Sequence, residues 1–216
     1  MNLSVAVYDM ANGREATTDA DRAYVSASVV KVGVLAALLL RAQDADRWLT
    51  PEEEGLAAAM IERSDNDAAT ALRAAAGGVA ALDEAHARLG LTRTEGAAAW
   101  GLTRTTARDQ LTLLRTVFDT GTASPLDARS RRYVAALMGR VISGQDWGVS
   151  AAAGAGGDHA LKNGWLPRTD SGLWVVHSVG RAGDCLVAVL SDGHPTLEAG
   201  IASVEEAAVR GVGRVA

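Results

Sequence analysis

Cysteine is all but missing: Cys185 stands alone, which excludes an internal disulfide. It borders the apolar run Leu186-Val187-Ala188-Val189-Leu190, so a buried, inert thiol is expected rather than a nucleophile. Aromatic residues make up only 4% against 48% hydrophobic, so the core must be aliphatic and Ala-rich, with five tryptophans as large anchors. Positive charge is not in excess: the net charge is −5, against a general nucleic-acid binder, whose face would be basic. Arg129, Arg131 and Arg132 form the densest basic cluster, expected on the solvated face of a helix. His86, His159, His177, His194 and Cys185 show no metal-site spacing, so neither a metal nor a cofactor is expected.

Long apolar runs are equally scarce. Residues 29–40 form the main one; it is internal, interrupted by Lys31, and shorter than the ~20 residues of a membrane-spanning helix. Met1-Asn2-Leu3-Ser4 leads straight into strand-like alternation rather than a signal peptide. The chain as given is therefore expected to be soluble and cytoplasmic, or exported if it is the mature form of a longer precursor.

Lysine is the most telling scarcity. Of 21 cationic side chains only Lys31 and Lys162 are lysine, the rest arginine. Lys31 sits at the start of the apolar run, where an ammonium is costly to bury. A lysine, unlike an arginine, can give up its proton there and act as a base.

In chain order, Leu3–Asp9, a turn at Ala11–Arg14 and Glu15–Thr18 read as a β-hairpin. Helices are expected at about 26–43, from Pro51 behind a Thr50 cap, at 68–76, at 79–89, from Thr105 to Phe118 and from Leu126 to Ile142. Residues 91–104 and 144–157 read as connections, and 160–165, 173–179 and 185–191 as strands. Gly180–Asp184 reads as a hairpin loop, and a last helix spans 196–210. The expected class is α/β of the α+β type: an antiparallel sheet of about five strands from both chain ends, packed by helices, with an all-helical lobe. One domain, 1–216, is expected, with its α/β portion at about 1–45 and 158–216 and its helical lobe at about 46–157.

Three short patterns can carry chemistry. Ser28 and Lys31, three apart, share a helix face, and Ser28 falls in the first turn, where unpaired N–H groups and the helix dipole favour a developing anion. Lys31 could take its proton; the competing reading is a serine cap with a snorkelling lysine. Ser64-Asp65-Asn66 sits at a helix junction, where such residues are ordinary caps. Lys162-Asn163-Gly164-Trp165 opens the C-terminal strands.

In this order the three resemble S-x-x-K, S-D-N and K-T-G, the signature of class A β-lactamases and penicillin-binding proteins. The resemblance spans nearly the whole chain and implies a β-lactamase/transpeptidase-like fold. It implies that Ser28 is the acylated nucleophile and Lys31 its base or proton relay. Ser64 would pass a proton to the leaving amine, with Lys162 as electrostatic support. Asn66 would bind the substrate's side-chain amide, and the backbone N–H groups of Ser28 and Trp165 the oxyanion. Asn163 replaces the usual Thr or Ser and would donate to a substrate carboxylate through its amide, beside Gly164; Arg168 is a carboxylate partner on spacing alone.

Three departures qualify the resemblance. The interval from Ser28 to Ser64 is short, and the family's N-terminal helix is absent. The loop between Gly90 and Thr105 lacks the Glu-x-x-x-Asn that activates the deacylating water. Glu95 is the only acidic residue there: either the deacylation base or an exposed loop carboxylate. The resemblance thus implies a serine hydrolase forming an acyl-enzyme on a β-lactam or D-amino-acid peptide, with slow deacylation. The alternatives are a DD-peptidase/transpeptidase-like acyltransferase and a non-hydrolytic β-lactam- or peptide-binding module. A small-molecule or peptide partner is expected, with no nucleic acid and no membrane segment; oligomeric state stays open.

Overall fold

The structure, a computed structural model, describes residues 1–216. Strands β1 (Asn2–Asp9) and β2 (Glu15–Thr18) form the opening hairpin, Val5 facing Thr18 and Tyr8 facing Glu15. Asp9 shapes its turn: the carboxylate accepts from the Ala11 N–H at 2.8 Å and from the Asn12 amide at 2.7 Å. Strand β3 (Ala23–Val25) comes next, and a single 3-10 turn, Ala27–Val29, leads into α1 (Val30–Asp44). Only Arg41, Gln43 and Asp44 of α1 escape full burial, as its apolar circumference demands.

Helix α2 (Pro51–Glu62) starts on a complete capping box between Thr50 and Glu53, and α3 (Asn66–Ala75) on the Asp65 carboxylate, which accepts from the Ala68 N–H at 2.7 Å. Helix α4 (Gly78–Arg88) follows. Thr105 and Thr106, expected inside the next helix, lie instead in β4 (Arg104–Thr106), which pairs with β3. Thr106 caps α5 (Ala107–Phe118), its hydroxyl accepting from the Asp109 N–H at 3.1 Å. Helix α6 (Ala128–Met138) is shorter than the expected 126–142: Asp127 caps its start and Gly139 stands at its C-cap. Arg129 and Arg131 are not merely solvated. Arg129 stacks 3.7 Å from the Trp48 ring centroid, and Arg131 donates to the Val117 carbonyl. A one-turn helix, α7 (Ser150–Ala153), interrupts the expected 144–157 connection.

Strands β5 (His159–Pro167), β6 (Trp174–Ala182) and β7 (Cys185–His194) and helix α8 (Leu197–Val212) complete the chain. Gly180, Arg181 and Ala182 belong to β6, so the hairpin turn is only Gly183-Asp184, with Gly183 at φ +56° as a two-residue turn allows. The main sheet runs β2-β1-β7-β6-β5, every pair antiparallel. Alternation along the strands feeds two cores. Val5, Val7, Leu161, Val176 and Val189 meet Val204, Ala207 and Ala208 of α8. Ala6, Val179, Ala188 and Leu190 face a 41-residue cluster containing α1 and α5. Cys185 is buried, and burial pushes its thiol pKa up, which disfavours the thiolate form. No helix is long and apolar enough to cross a membrane. Strand β5 forms one edge of the sheet, and that edge meets the 3-10 turn at the head of α1.

Candidate active site

The Val25–Val29 turn is anchored from both sides. The Ser26 N–H donates to the Thr103 carbonyl at 2.7 Å, and His177 Nε2 lies 2.8 Å from the Val25 carbonyl. A carbonyl only accepts, so Nε2 carries the proton, while Nδ1 accepts from the Ser191 N–H at 3.1 Å. His177 is thus a neutral, single-tautomer clamp between β6, β7 and the turn. Its burial pulls its pKa down to about 4. Between these anchors Ala27 adopts φ +46°, a strained conformation for a residue with a Cβ. It immediately precedes Ser28, which is half-buried.

Lys31 and Lys162 are fully buried and converge on one oxygen. Lys31 Nζ donates to the Ser64 carbonyl at 2.6 Å, to Ser64 Oγ at 3.1 Å and to Asn66 Oδ1 at 2.9 Å. Its three N–H groups are thereby spent, none on Ser28. Lys162 Nζ donates to Ser64 Oγ at 2.9 Å and to the Asn163 carbonyl at 2.9 Å. Ser64 is held at φ +56° in the bend between α2 and α3. With both lone pairs occupied by amines, its hydroxyl proton is the one valence left to offer outward.

No carboxylate is among the partners of either amine. Burial pulls the Lys31 pKa down to about 8, opposed by the Asp65 charge. Burial, then repulsion from Lys31, holds Lys162 well below the ordinary lysine value. The arrangement favours shedding a proton from one amine, and it favours an anionic visitor.

Glycine is required at 164. A Cβ there would sit 2.8 Å from Ser28 N, 2.8 Å from Val29 N and 3.1 Å from the Ser26 carbonyl oxygen. The backbone of β5 is thus laid directly on the Ser28 turn. Trp165, half-buried, follows on β5 opposite Val176, its ring 5.8 Å from that of Trp147.

Three expected site residues are placed otherwise. Asn163 Nδ2 spends both protons on the carbonyls of Gln145, at 2.8 Å, and Trp147, at 3.0 Å, while its buried Oδ1 has no partner. It has no proton left to donate to a substrate carboxylate. Arg168 pairs with Asp170 at 3.0 Å and lines a separate ~440 Å³ cavity beside Tyr24, Leu173 and Asp192. Glu95 is exposed; its backbone exchanges two 2.9 Å hydrogen bonds with Arg104. The residue of that loop that reaches Lys31 is Trp100, with Nζ 4.8 Å from the ring centroid. Nothing in the local pattern marks Trp100 as a site residue or fixes one role for His177. The one available signal is a tryptophan, in an aromatic-poor chain, inside the loop where an acid is expected.

The fold is that of β-lactamases and PBP-A. A β-lactamase from Chitinophaga pinensis superposes with a TM-score of 0.81 at 17% identity, over 98% of this chain and 94% of that one. An ancestral class A β-lactamase gives 0.76 at 23% identity, over 99% and 94%. A PBP-A variant, solved as its acyl-enzyme with penicillin G, gives 0.80 at 19% identity, over 99% and 90%. No curated protein sequence matches the chain. The sequence profile of the Beta-lactamase enzyme family matches residues 49–214, a span that includes Ser64, Asn66 and Lys162 and begins after Ser28 and Lys31. The chain belongs to the β-lactamase enzyme family, which supports a β-lactamase-like serine hydrolase at that level.

Proposed function

We propose that the protein forms an acyl-enzyme at Ser28 on a β-lactam or a related amide or ester, and releases the acyl group slowly. The observation that carries this reading is the Ser64 hydroxyl, held at 3.1 Å from Lys31, three residues after Ser28, and at 2.9 Å from Lys162, two residues before the Gly164 that lies on the Ser28 turn. Ser28 Oγ attacks the carbonyl carbon, and its proton passes to the amine of Lys31 once that amine is neutral. The carbon–nitrogen bond breaks, and the leaving nitrogen takes the outward proton of Ser64, which is replaced from the lysine pair. The N–H groups of Ser28 and Trp165 receive the oxyanion. Asn66 gives Oδ1 to Lys31, leaving Nδ2 to donate to a substrate amide carbonyl.

Slow release is favoured because the loop sets an indole, not a carboxylate, against Lys31; general-base assistance is typically worth ~10²–10⁴ in rate. The same acyl-enzyme could be passed to an amine, as in a DD-peptidase/transpeptidase-like acyltransferase. We also propose that residues 1–216 act as one unit, the α/β portion comprising residues 1–45 and 158–216 and the helical lobe residues 46–157; the shared 41-residue core supports this.

Intact mass after exposure to benzylpenicillin, with Ser28→Ala as control, tests acylation. Turnover of a chromogenic cephalosporin tests release. A stable adduct without turnover is expected, and an adduct consumed by added D-amino acid would favour the transferase reading. No adduct and no turnover would leave a binding module.

A further inference from the structure

Trp100 is placed with unusual care for a loop residue. It opens a 3-10 turn, Trp100–Leu102, and its indole N–H donates to Thr70 Oγ1 of α3 at 3.2 Å. The loop is tied down on several sides: Arg73 donates to the Ala97 carbonyl at 2.9 Å, and the Gly96 N–H to Asp83 at 2.7 Å. Thr94 Oγ1 and the Arg93 N–H donate to the buried Asp109 carboxylate at 2.6 and 2.8 Å. These ties aim the ring face at Lys31 Nζ, 4.8 Å from the centroid. Lys31 gives its three N–H groups to Ser64 and Asn66, the ring covers a further side of the amine, and the lysine is fully buried.

We propose that Trp100 is a positioning residue that keeps water from Lys31 and thereby prolongs the life of the acyl-enzyme. This rests on the acyl-enzyme reading above. Hydrolysis of the Ser28 ester forms a bond from a water oxygen to the acyl carbon and breaks the carbon–Oγ bond. One water proton must reach Oγ through a base; the other leaves with the acid product. Lys31 is the amine three residues along the chain from Ser28, and the indole covers a face from which it would hold the attacking water. The ring also attracts the ammonium form, which cannot accept the proton.

The test compares wild type, Trp100→Phe, Trp100→Ala and Thr70→Val. Each is acylated with benzylpenicillin, freed of excess drug, and followed by intact mass. Trp100→Ala is expected to lose the adduct at least ~10-fold faster, short of the ~10²–10⁴ of a full general base. Trp100→Phe keeps a ring face over Lys31 and retains the wild-type lifetime. Thr70→Val frees the indole and falls between. An unchanged or longer lifetime in Trp100→Ala overturns the proposal.

A second readout does not depend on acylation. The chain has two lysines, so acetic anhydride labelling mapped by peptide mass reports each amine separately. Lys31 labelling should rise about tenfold in Trp100→Ala while Lys162 stays protected; no rise overturns the proposal. If the wild type forms no adduct, the acyl-enzyme reading fails, and the labelling result alone decides whether Trp100 shields Lys31. Should Trp100→Ala fail to melt cooperatively, Thr70→Val carries both readouts.

Discussion

Replacing Gly164 with alanine probes the contact on which the proposed chemistry depends. The added methyl would lie 2.8 Å from two backbone nitrogens, Ser28 N and Val29 N, and 3.1 Å from the Ser26 carbonyl oxygen. Ordinary contact begins near 3.4 Å, so β5 and the turn must part by about 0.6 Å. None of the three atoms is the end of a flexible side chain, and the turn is already fixed by Thr103, by His177 and by the strained Ala27. Overpacking of this kind typically costs ~1–3 kcal/mol. In a chain of this size each kcal/mol shifts Tm by roughly 2–4 °C, so a fall of about 2–12 °C is expected. The kinetic effect should be larger, because a misplacement near 1 Å costs up to ~10²-fold. Benzylpenicillin acylation, followed by quenched intact mass, should slow about 10- to 100-fold in a protein that still melts cooperatively. Wild-type acylation with an unchanged Tm would refute the close seating of β5 on the Ser28 turn.

Two pH dependences follow from buried groups. In the proposed reaction Lys31 must be neutral to take the Ser28 proton; burial lowers its pKa to about 8, so the acylation rate should climb about tenfold per pH unit below 8 and level off above. A flat profile from pH 6 to 9 would show that Lys31 is not the base. His177 is neutral in the folded state, its pKa pulled to about 4 from the unfolded value of 6.5. The unfolded chain therefore binds the proton first as pH falls, and stability is lost between about 6.5 and 4. At 1.36 kcal/mol per pKa unit that loss is roughly 3 kcal/mol. Urea unfolding of wild type and His177→Gln at pH 7 and 4.5 isolates it; an equal acid loss in both would contradict the clamp.

The fold and the three motif pieces are legible because each is local. The Thr50 capping box, the apolar α1 and the alternating strands announce themselves within a few residues. The differences fall where tertiary contact overrides local pattern. Strands β3 and β4 are three residues each, too short to show a period, and exist because they pair with each other. Gly180 reads as a loop residue, yet it is a strand glycine whose added Cβ would collide with Ala160 and Leu161 on β5. Leu126, Val141 and Ile142 extend the apolar pattern of α6 beyond where Asp127 and Gly139 cut it.

At the site, Lys31, Ser64, Asn66 and Lys162 share one hydrogen-bond network, and Gly164 lies against the Ser28 turn. Asn163 is turned away by the carbonyls of a loop sixteen and eighteen residues earlier, and Arg168 is taken by Asp170 two residues on. Neither fate is written in the spacing. Of the two readings of Glu95 the exposed loop carboxylate fits its placement, and the side chain of the 91–104 loop that meets Lys31 is the indole of Trp100.

The most direct test of the central claim is the position of the adduct. Protease digestion of benzylpenicillin-treated protein, followed by tandem mass spectrometry, should find one penicilloyl group per chain, on Ser28, and none in Ser28→Ala. A penicilloyl group on any other residue, or an adduct that persists in Ser28→Ala, would contradict it.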